Sequence, residues 1–401
     1  MSTAAIDEVV YLEHNATTPV APAVLEAMLP YLRTAYGNPS SDHPTGRRAR
    51  VAVEEAREQV AALIGAAPDE IVFTSGGTES NNLAIFGTTA TAPAKRRRIV
   101  TSTVEHPATA GPCGRLETEG WAVTRVPVTG AGLLELASAT AAFSGDVALC
   151  TMLLAQNETG ALLRLADLAP AAHDAGAIVH ADAAQAIGKI PVSVEDLGVD
   201  LLSVAGHKCY APKGVGALYV RRGTPLSPVL VGAGQERGLR PGTENVAGIV
   251  GLGAACELAR SRLALDPARL GALRGELFAA LCAAVPGLVC HTPLDASLAN
   301  TLFVSFPGVH GTDLLARSPG VAASTGSACH AGEETPSATL LAMGVAPEVA
   351  LSAVRLSLGR DTTGAALALA VDRLVAAWRQ AHEEHEEHTA LNPSQRKRAS
   401  Q

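Results

Sequence analysis

From Asp69 to about Arg222 the chain alternates short apolar runs with helix-like or turn-rich stretches, and no other feature limits its fold as much. The apolar runs are Asp69–Phe73, Arg98–Thr103, Ala122–Val128, Val147–Leu154, Ala177–His180 and the pair flanking Gly206. Such alternation implies parallel strands joined by crossover helices on both faces, an α/β class with a mainly parallel sheet. The polar residues fall in a telling place. Thr78, His106, Asn157, Asp182, Gln185 and Lys208 all follow the carboxyl ends of predicted strands. Open α/β sheets bind their ligands at that edge.

The stretch Ser203–Gly216 lies at the centre of this pattern. Apolar residues before it and after it read as two buried strands, and its glycines and proline force a tight loop. The loop carries Lys208, flanked by His207 and Cys209. A partly desolvated lysine has a lowered pKa, and its neutral amine is what a Schiff base to an aldehyde requires. A second loop, Thr74–Asn82, runs through Gly76, Gly77 and Thr78 into a helix expected to reach Phe86. Unpaired N–H groups at such a helix start form a seat for phosphate.

Composition narrows the class further. The chain has 401 residues, 47% of them hydrophobic and 17% charged, which suits a large core and two domains. A net charge of −8 without a basic stripe points away from nucleic acid. No apolar run approaches a membrane span, and the first residues do not read as a secretory signal. The seven cysteines are scattered and never in C-x-x-C spacing, which implies a reducing compartment, and the protein is expected to be cytoplasmic.

Outside the alternating region, Tyr11–Pro19 reads as a strand and turn, Pro22–Ala35 as a helix, and Gly46–Leu63 as an amphipathic helix. Gly232 to Asn245 forms a polar, glycine-rich loop too long for a connector. Helices at Val246–Leu263 and Pro267–Val285 follow, then a strand at Thr301–Phe306 and a helix near Asp313. The run 323–337 around Cys329 reads as flexible, Ala353–Leu358 as a strand holding Arg355, and Thr363 to about Glu384 as the last helix. His382, His385 and His388 sit on a solvated helix end, and no metal site is expected. The expected division is a large domain over 15–262, a smaller α+β domain from 1–14 and 263–388, and a disordered tail over 389–401.

Nine motifs in fixed order resemble the cysteine desulfurases, pyridoxal-phosphate (PLP) enzymes with the aspartate aminotransferase-like fold. They are Asn15–Pro19, Thr74–Asn82, Glu105-His106, Asn157–Gly160, Asp182–Gln185, Gly206–Lys208, Arg240–Thr243, Gly326–Cys329 and Arg355. The resemblance implies a PLP-binding homodimer in which Lys208 forms the internal aldimine and moves the substrate α-proton. It implies that Asp182 pairs with the pyridine nitrogen, His106 stacks on the ring and Gln185 bonds the phenolic oxygen. Gly77, Thr78 and His207, with Thr243 of a partner subunit, would hold the phosphate. Asn157 and Arg355 would bind the carboxylate of L-cysteine. Cys329 would take the substrate sulfur as a persulfide, leaving alanine, and pass it to a sulfur-acceptor protein.

The chain departs from the family pattern at four positions. Glu13 and His14 replace the usual aspartate and asparagine, and Ala205 stands where a phosphate-binding serine is common. His330 follows Cys329, which is similar to selenocysteine lyases, so L-selenocysteine is an alternative substrate. A selenocysteine lyase or another PLP-dependent lyase of the same fold is the second reading, and a non-catalytic sulfur-relay scaffold is the third.

Overall fold

The computed structural model describes residues 9–326, 328–330 and 333–391, without the side chains of 328–330, 333–334 and 385–391. The chain opens with β1 (Val10–Tyr11), α1 (Pro22–Arg33) and α2 (Pro44–Ile64). Helix α2 shows why such a segment forms where it does. Pro44 sits in its first turn, His43 caps Gly46 N–H, and Gly65 closes it at φ 69°. Its buried face runs through Ala49, Ala52, Val53, Ala56 and Val60.

The alternating region becomes one seven-stranded sheet. Its strands are β2 (Ile71–Thr74), β3 (Arg98–Ser102), β4 (Ala122–Val126), β5 (Val147–Leu153), β6 (Ile178–Asp182), β7 (Leu201–Ala205) and β8 (Gly216–Val220), in the order β2-β8-β7-β6-β5-β3-β4. Only β8 runs against its neighbours. All the other strands therefore end at the same edge. Helices α3 (Gly77–Thr91), α4 (Pro107–Thr118), α5 (Leu136–Ala141), α6 (Ala169–Asp174) and α7 (Val194–Leu197) make the connections. Every residue of β5 is buried, as covering on both faces demands. Helix α3 continues past Phe86 to Thr91, because Thr88 and Thr89 are buried and the Thr89 hydroxyl bonds back to Ile85 O.

Beyond α8 (Val246–Arg262), which packs on α1 and α2, a second core begins at α9 (Asp266–Ala284). The strands there are β9 (Val289–Cys290), β10 (Thr301–Ser305), β11 (Val321–Ala322), β12 (Ser324–Thr325), β13 (Ala328–His330), β14 (Glu333–Thr335) and β15 (Ala353–Ser357). Strands β12-β15-β10-β9 form an antiparallel sheet, β11 pairs with β1, and β13 pairs with β14. Helices α10 (Gly311–Ala316), α11 (Ala338–Ala342), α12 (Pro347–Leu351) and α13 (Gly364–Leu391) complete this part. Leu12, Leu277, Leu302, Phe306, Leu356 and Trp378 form its core, separate from the core of the large sheet. The stretch around Cys329, expected as a flexible loop, pairs Ala328–His330 with Glu333–Thr335. Helix α13 runs to Leu391, past the start expected for the tail, and residues 392–401 lie outside the described residues.

Candidate active site

Strands β2, β3, β5, β6 and β7 all end at one edge, and the residues that follow them line a cleft. It is lined by Gly77, Thr78, His106, Asn157, Asp182, Gln185, His207 and Lys208, eight of the residues singled out from the sequence. The site is thus a product of topology: strands with a common direction deliver their following residues to one place.

Lys208 occupies a one-turn 3₁₀ helix, Gly206–Lys208, between β7 and β8. Its Nζ donates to Asn15 O at 2.5 Å and Ala16 O at 2.9 Å. Burial and the nearby Arg355 guanidinium lower its pKa to about 8, against the opposing pull of Asp182 and Glu13. The Asp182 carboxylate ends β6. It accepts from Asn81 Nδ2 at 2.6 Å and from Ala184 N–H at 3.0 Å, which fixes its plane. His106 caps α4, its Nδ1 accepting from Ala108 N–H at 3.1 Å, and burial lowers its pKa. Such a ring is neutral with its proton on Nε2. His207 Nδ1 lies 3.2 Å from Thr17 Oγ1, and burial with Lys208 and Lys213 nearby lowers its pKa to about 4.

The start of α3 faces this cleft. Gly76 precedes it at φ 145°, a conformation that other residues rarely adopt, and a Cβ on Gly216 would meet Gly76 Cα at 2.7 Å. Two glycines from distant parts of the chain thus let β8 pass directly beneath the turn. Thr78 is exposed there, and the methyl of Ala205 lies 3.1 Å from where a Gly77 Cβ would stand.

Arg355 reaches the site from β15. Its Nη1 donates to Asn157 O at 2.9 Å, while its Nε is buried without a hydrogen-bond partner. Burial lowers its pKa, although Glu158, Glu13 and Tyr11 favour its charge. A buried guanidinium with an unmatched donor is a seat for an anion such as a carboxylate. Thr243 is exposed on the 232–245 loop and does not line the cleft of its own chain. That loop is tied to the first turn of α3 by Arg240, whose Nε is 2.9 Å from Glu79 Oε1. Cys329 lies in β13, opposite Glu334, and its side chain is outside the described residues.

A family model, Aminotransferase class-V, matches residues 10–368. The chain belongs to the aminotransferase class-V family. Among its relatives is a cysteine desulfurase of Enterobacter agglomerans, 45% identical over 368 residues and covering 91% of both chains. The cysteine desulfurase IscS of Dictyoglomus turgidum is 44% identical, covering 88% of this chain and 90% of its own. A solved NifS-like protein has a TM-score of 0.87 at 38% identity, over 92% of this chain and 98% of its own. A structure of SspA in complex with cysteine has a TM-score of 0.77 at 34% identity, over 87% and 98%.

Four residues of this class-V site carried no role in the sequence reading. Asn15 is fully buried, and its carbonyl accepts from both Lys208 and Gln185 Nε2. Asn81 orients Asp182. Glu105 accepts from Ser102 Oγ and Leu153 N–H behind His106, and burial raises its pKa to about 8. Lys189 bonds Asn15 and Gln185. Asn15, Asn81 and Glu105 stood within quoted motifs. Lys189 gave no signal, since Gly-Lys-Ile-Pro reads as a surface turn. His382, of the three histidines near the end, stacks on Trp378 at 5.1 Å between centroids.

Proposed function

We propose that the protein is a PLP-dependent cysteine desulfurase, converting L-cysteine to L-alanine and forming a persulfide on Cys329. The observation that carries this reading is the convergence on one cleft of a lysine poised near neutrality, an oriented carboxylate and a neutral imidazole. The same cleft fits the cofactor by chemistry. Lys208 supplies the amine for its aldehyde, Asp182 the partner for its pyridine nitrogen, and the α3 start with Gly77, Thr78 and His207 the phosphate seat. Bound there, PLP supplies an electron sink that makes the substrate α-proton removable. Lys208, once its amine is free, is the group placed to take and return that proton. His106 covers one face of the cleft as a flat, uncharged ring. Arg355 and Asn157 hold the substrate carboxylate, the buried Nε of Arg355 giving it a donor without a rival. Cys329 as thiolate takes the substrate sulfur, so that cysteine plus enzyme thiol becomes alanine plus enzyme persulfide. A sulfur-acceptor protein then removes that sulfur.

Residues 15–262 form the cofactor unit, and 1–14 with 263–388 form the smaller one, in keeping with the two separate cores. The active molecule is a homodimer in which Thr243 serves the partner's phosphate seat. Six described cysteines are free, and no described helix is long and apolar enough to cross a membrane, which fits a cytoplasmic enzyme. The names of the relatives favour cysteine over L-selenocysteine. The reading is tested by loading the purified protein with PLP and following alanine from L-cysteine. Alanine in amounts matched by persulfide on Cys329 is expected. Turnover by Cys329→Ser at the wild-type rate would overturn the persulfide step.

A further inference from the structure

Lys189 has no part in the reading above, yet its amine, whose pKa burial and the nearby Lys208 and Arg355 lower well below the ordinary lysine value, contacts two amides of the site. Its Nζ donates to Asn15 Oδ1 at 2.9 Å and to Gln185 Oε1 at 2.6 Å. Asn15 is anchored elsewhere as well. Its Oδ1 also accepts from Asn300 at 3.1 Å, and its Nδ2 donates to Thr301 Oγ1 at 2.8 Å. Gln185 depends far more on Lys189, which is the donor to its Oε1, while its Nε2 gives one proton to Asn15 O at 2.8 Å. An amide nitrogen carries two protons. Because Gln185 lines the cleft, its second N–H is available to a group bound there.

We propose that Lys189 is a positioning residue for the bound cofactor: by holding Gln185 Oε1 it keeps the Gln185 N–H, not the carbonyl, turned to the cofactor's phenolic oxygen. The proposal rests on the PLP reading given above. Without Lys189, Gln185 Oε1 loses its donor and the side chain is free to turn, presenting an acceptor to an oxygen that is itself negative. Through Asn15 the same amine steadies the carbonyl on which Lys208 rests. The charged and titratable groups around it are Lys208, Arg355, His14 and Cys209, with Asp266 and Arg360 lining the small cavity on its far side.

The test uses the PLP-loaded protein and two readouts besides turnover: the pH midpoint at which its visible band changes, and the dissociation constant for PLP. An N–H donor held against the phenolic oxygen makes the chromophore's proton easier to lose. Lys189→Met is therefore expected to raise the midpoint by about one pH unit and to weaken PLP binding about tenfold. Lys189→Arg, which keeps the donor, should stay near the wild type. In a Gln185→Ala background, Lys189→Met should shift the midpoint less than half as far. An unchanged midpoint in Lys189→Met, or an equal shift in both backgrounds, overturns the proposal. If Lys189→Met does not fold, Gln185→Met with Lys189 intact must give the raised midpoint, and an unmoved one overturns it equally. A wild-type protein that shows no visible band with PLP defeats the cofactor reading itself, a result distinct from any of these.

Discussion

Lys208 sits where desolvation and the Arg355 cation work against its charge, and the direction of that shift has consequences for binding and for stability. Only the neutral amine attacks an aldehyde, so PLP capture by the cofactor-free protein should speed up as pH rises to about 8 and then level off. Stopped-flow absorbance across pH 6–10 would check this. The same lysine has an ordinary pKa near ~10.4 in the unfolded chain. Below about 8 both states hold the proton and the folded state bears the full burden of the buried charge. Between there and ~10.4 the unfolded state binds more protons, so the stability of the cofactor-free form increases with pH. Lys208→Met should remove that rise, lose the visible band and keep the fold, by urea titration at pH 7 and 9.5. A second residue, Ala205, offers a gain of binding. Its methyl lies beside Gly77 in the cleft, and Ala205→Ser adds a hydroxyl there without enlarging the backbone. A new donor to a phosphate is worth ~1–2 kcal/mol, so PLP loss during dialysis should slow about five- to thirtyfold. An unchanged rate would mean that the phosphate is seated away from Ala205.

At the scale of elements, the segment leading to Cys329 is held by a close contact. A Cβ on Gly326 would meet the Phe303 ring at 2.5 Å, Glu158 Oε2 at 2.6 Å and Ser337 Cβ at 2.9 Å. Glu158 in turn accepts from Ser337 Oγ at 2.5 Å and Thr339 Oγ1 at 2.9 Å, joining the end of β5 to the start of α11. Gly326→Ala must therefore displace the segment that leads to β13. It should lower alanine production at least tenfold while PLP content and the visible band stay within error. Joint loss of PLP would show that the hairpin supports the cofactor site as well. These elements also show what a sequence can and cannot disclose. The strands, their shared direction and the polar residues at their ends were legible, because apolar runs and glycine turns are local signals. The bonds that complete the site were not. Asn15 meets Lys189 across 174 positions and Lys208 across 193, so neither contact leaves a local pattern. Glu105 and Asn81 are likewise ordinary polar residues until the sheet brings Leu153 and Asp182 beside them. The β13–β14 pairing was hidden for a related reason: Ala-Cys-His and Glu-Glu-Thr are too short to carry an alternation from which to read a strand.

Two features belong to the whole molecule: a cleft whose own Thr243 stands outside it, and several large apolar side chains left exposed. The phosphate seat proposed above has the α3 start, Thr78 and His207, and Thr243 does not line the cleft of its own chain. The loop that carries Thr243 follows Val229, Leu230 and Val231, of which Val231 is 96% exposed. Tyr36, just beyond α1, is 80% exposed and Leu32 60%. Large apolar side chains left in water are the kind of surface that the proposed dimer would cover. Arg240, paired with Glu79 at the same seat, keeps this loop beside the cleft edge, so a two-fold partner docked there would bring a second Thr243 within reach of the first subunit's seat. Sedimentation of the wild type should give a dimer. Val231→Asp should weaken the dimer and, with it, PLP retention, whereas Thr243→Ala should leave the dimer intact and still weaken PLP retention several-fold. Mixing subunits supplies the decisive comparison. A heterodimer of Thr243→Ala with Lys208→Ala chains places the intact Lys208 opposite the intact Thr243, and should hold PLP in one site with wild-type tenacity. Weak retention in that heterodimer would mean that Thr243 serves its own chain, and the exchange between subunits would be wrong.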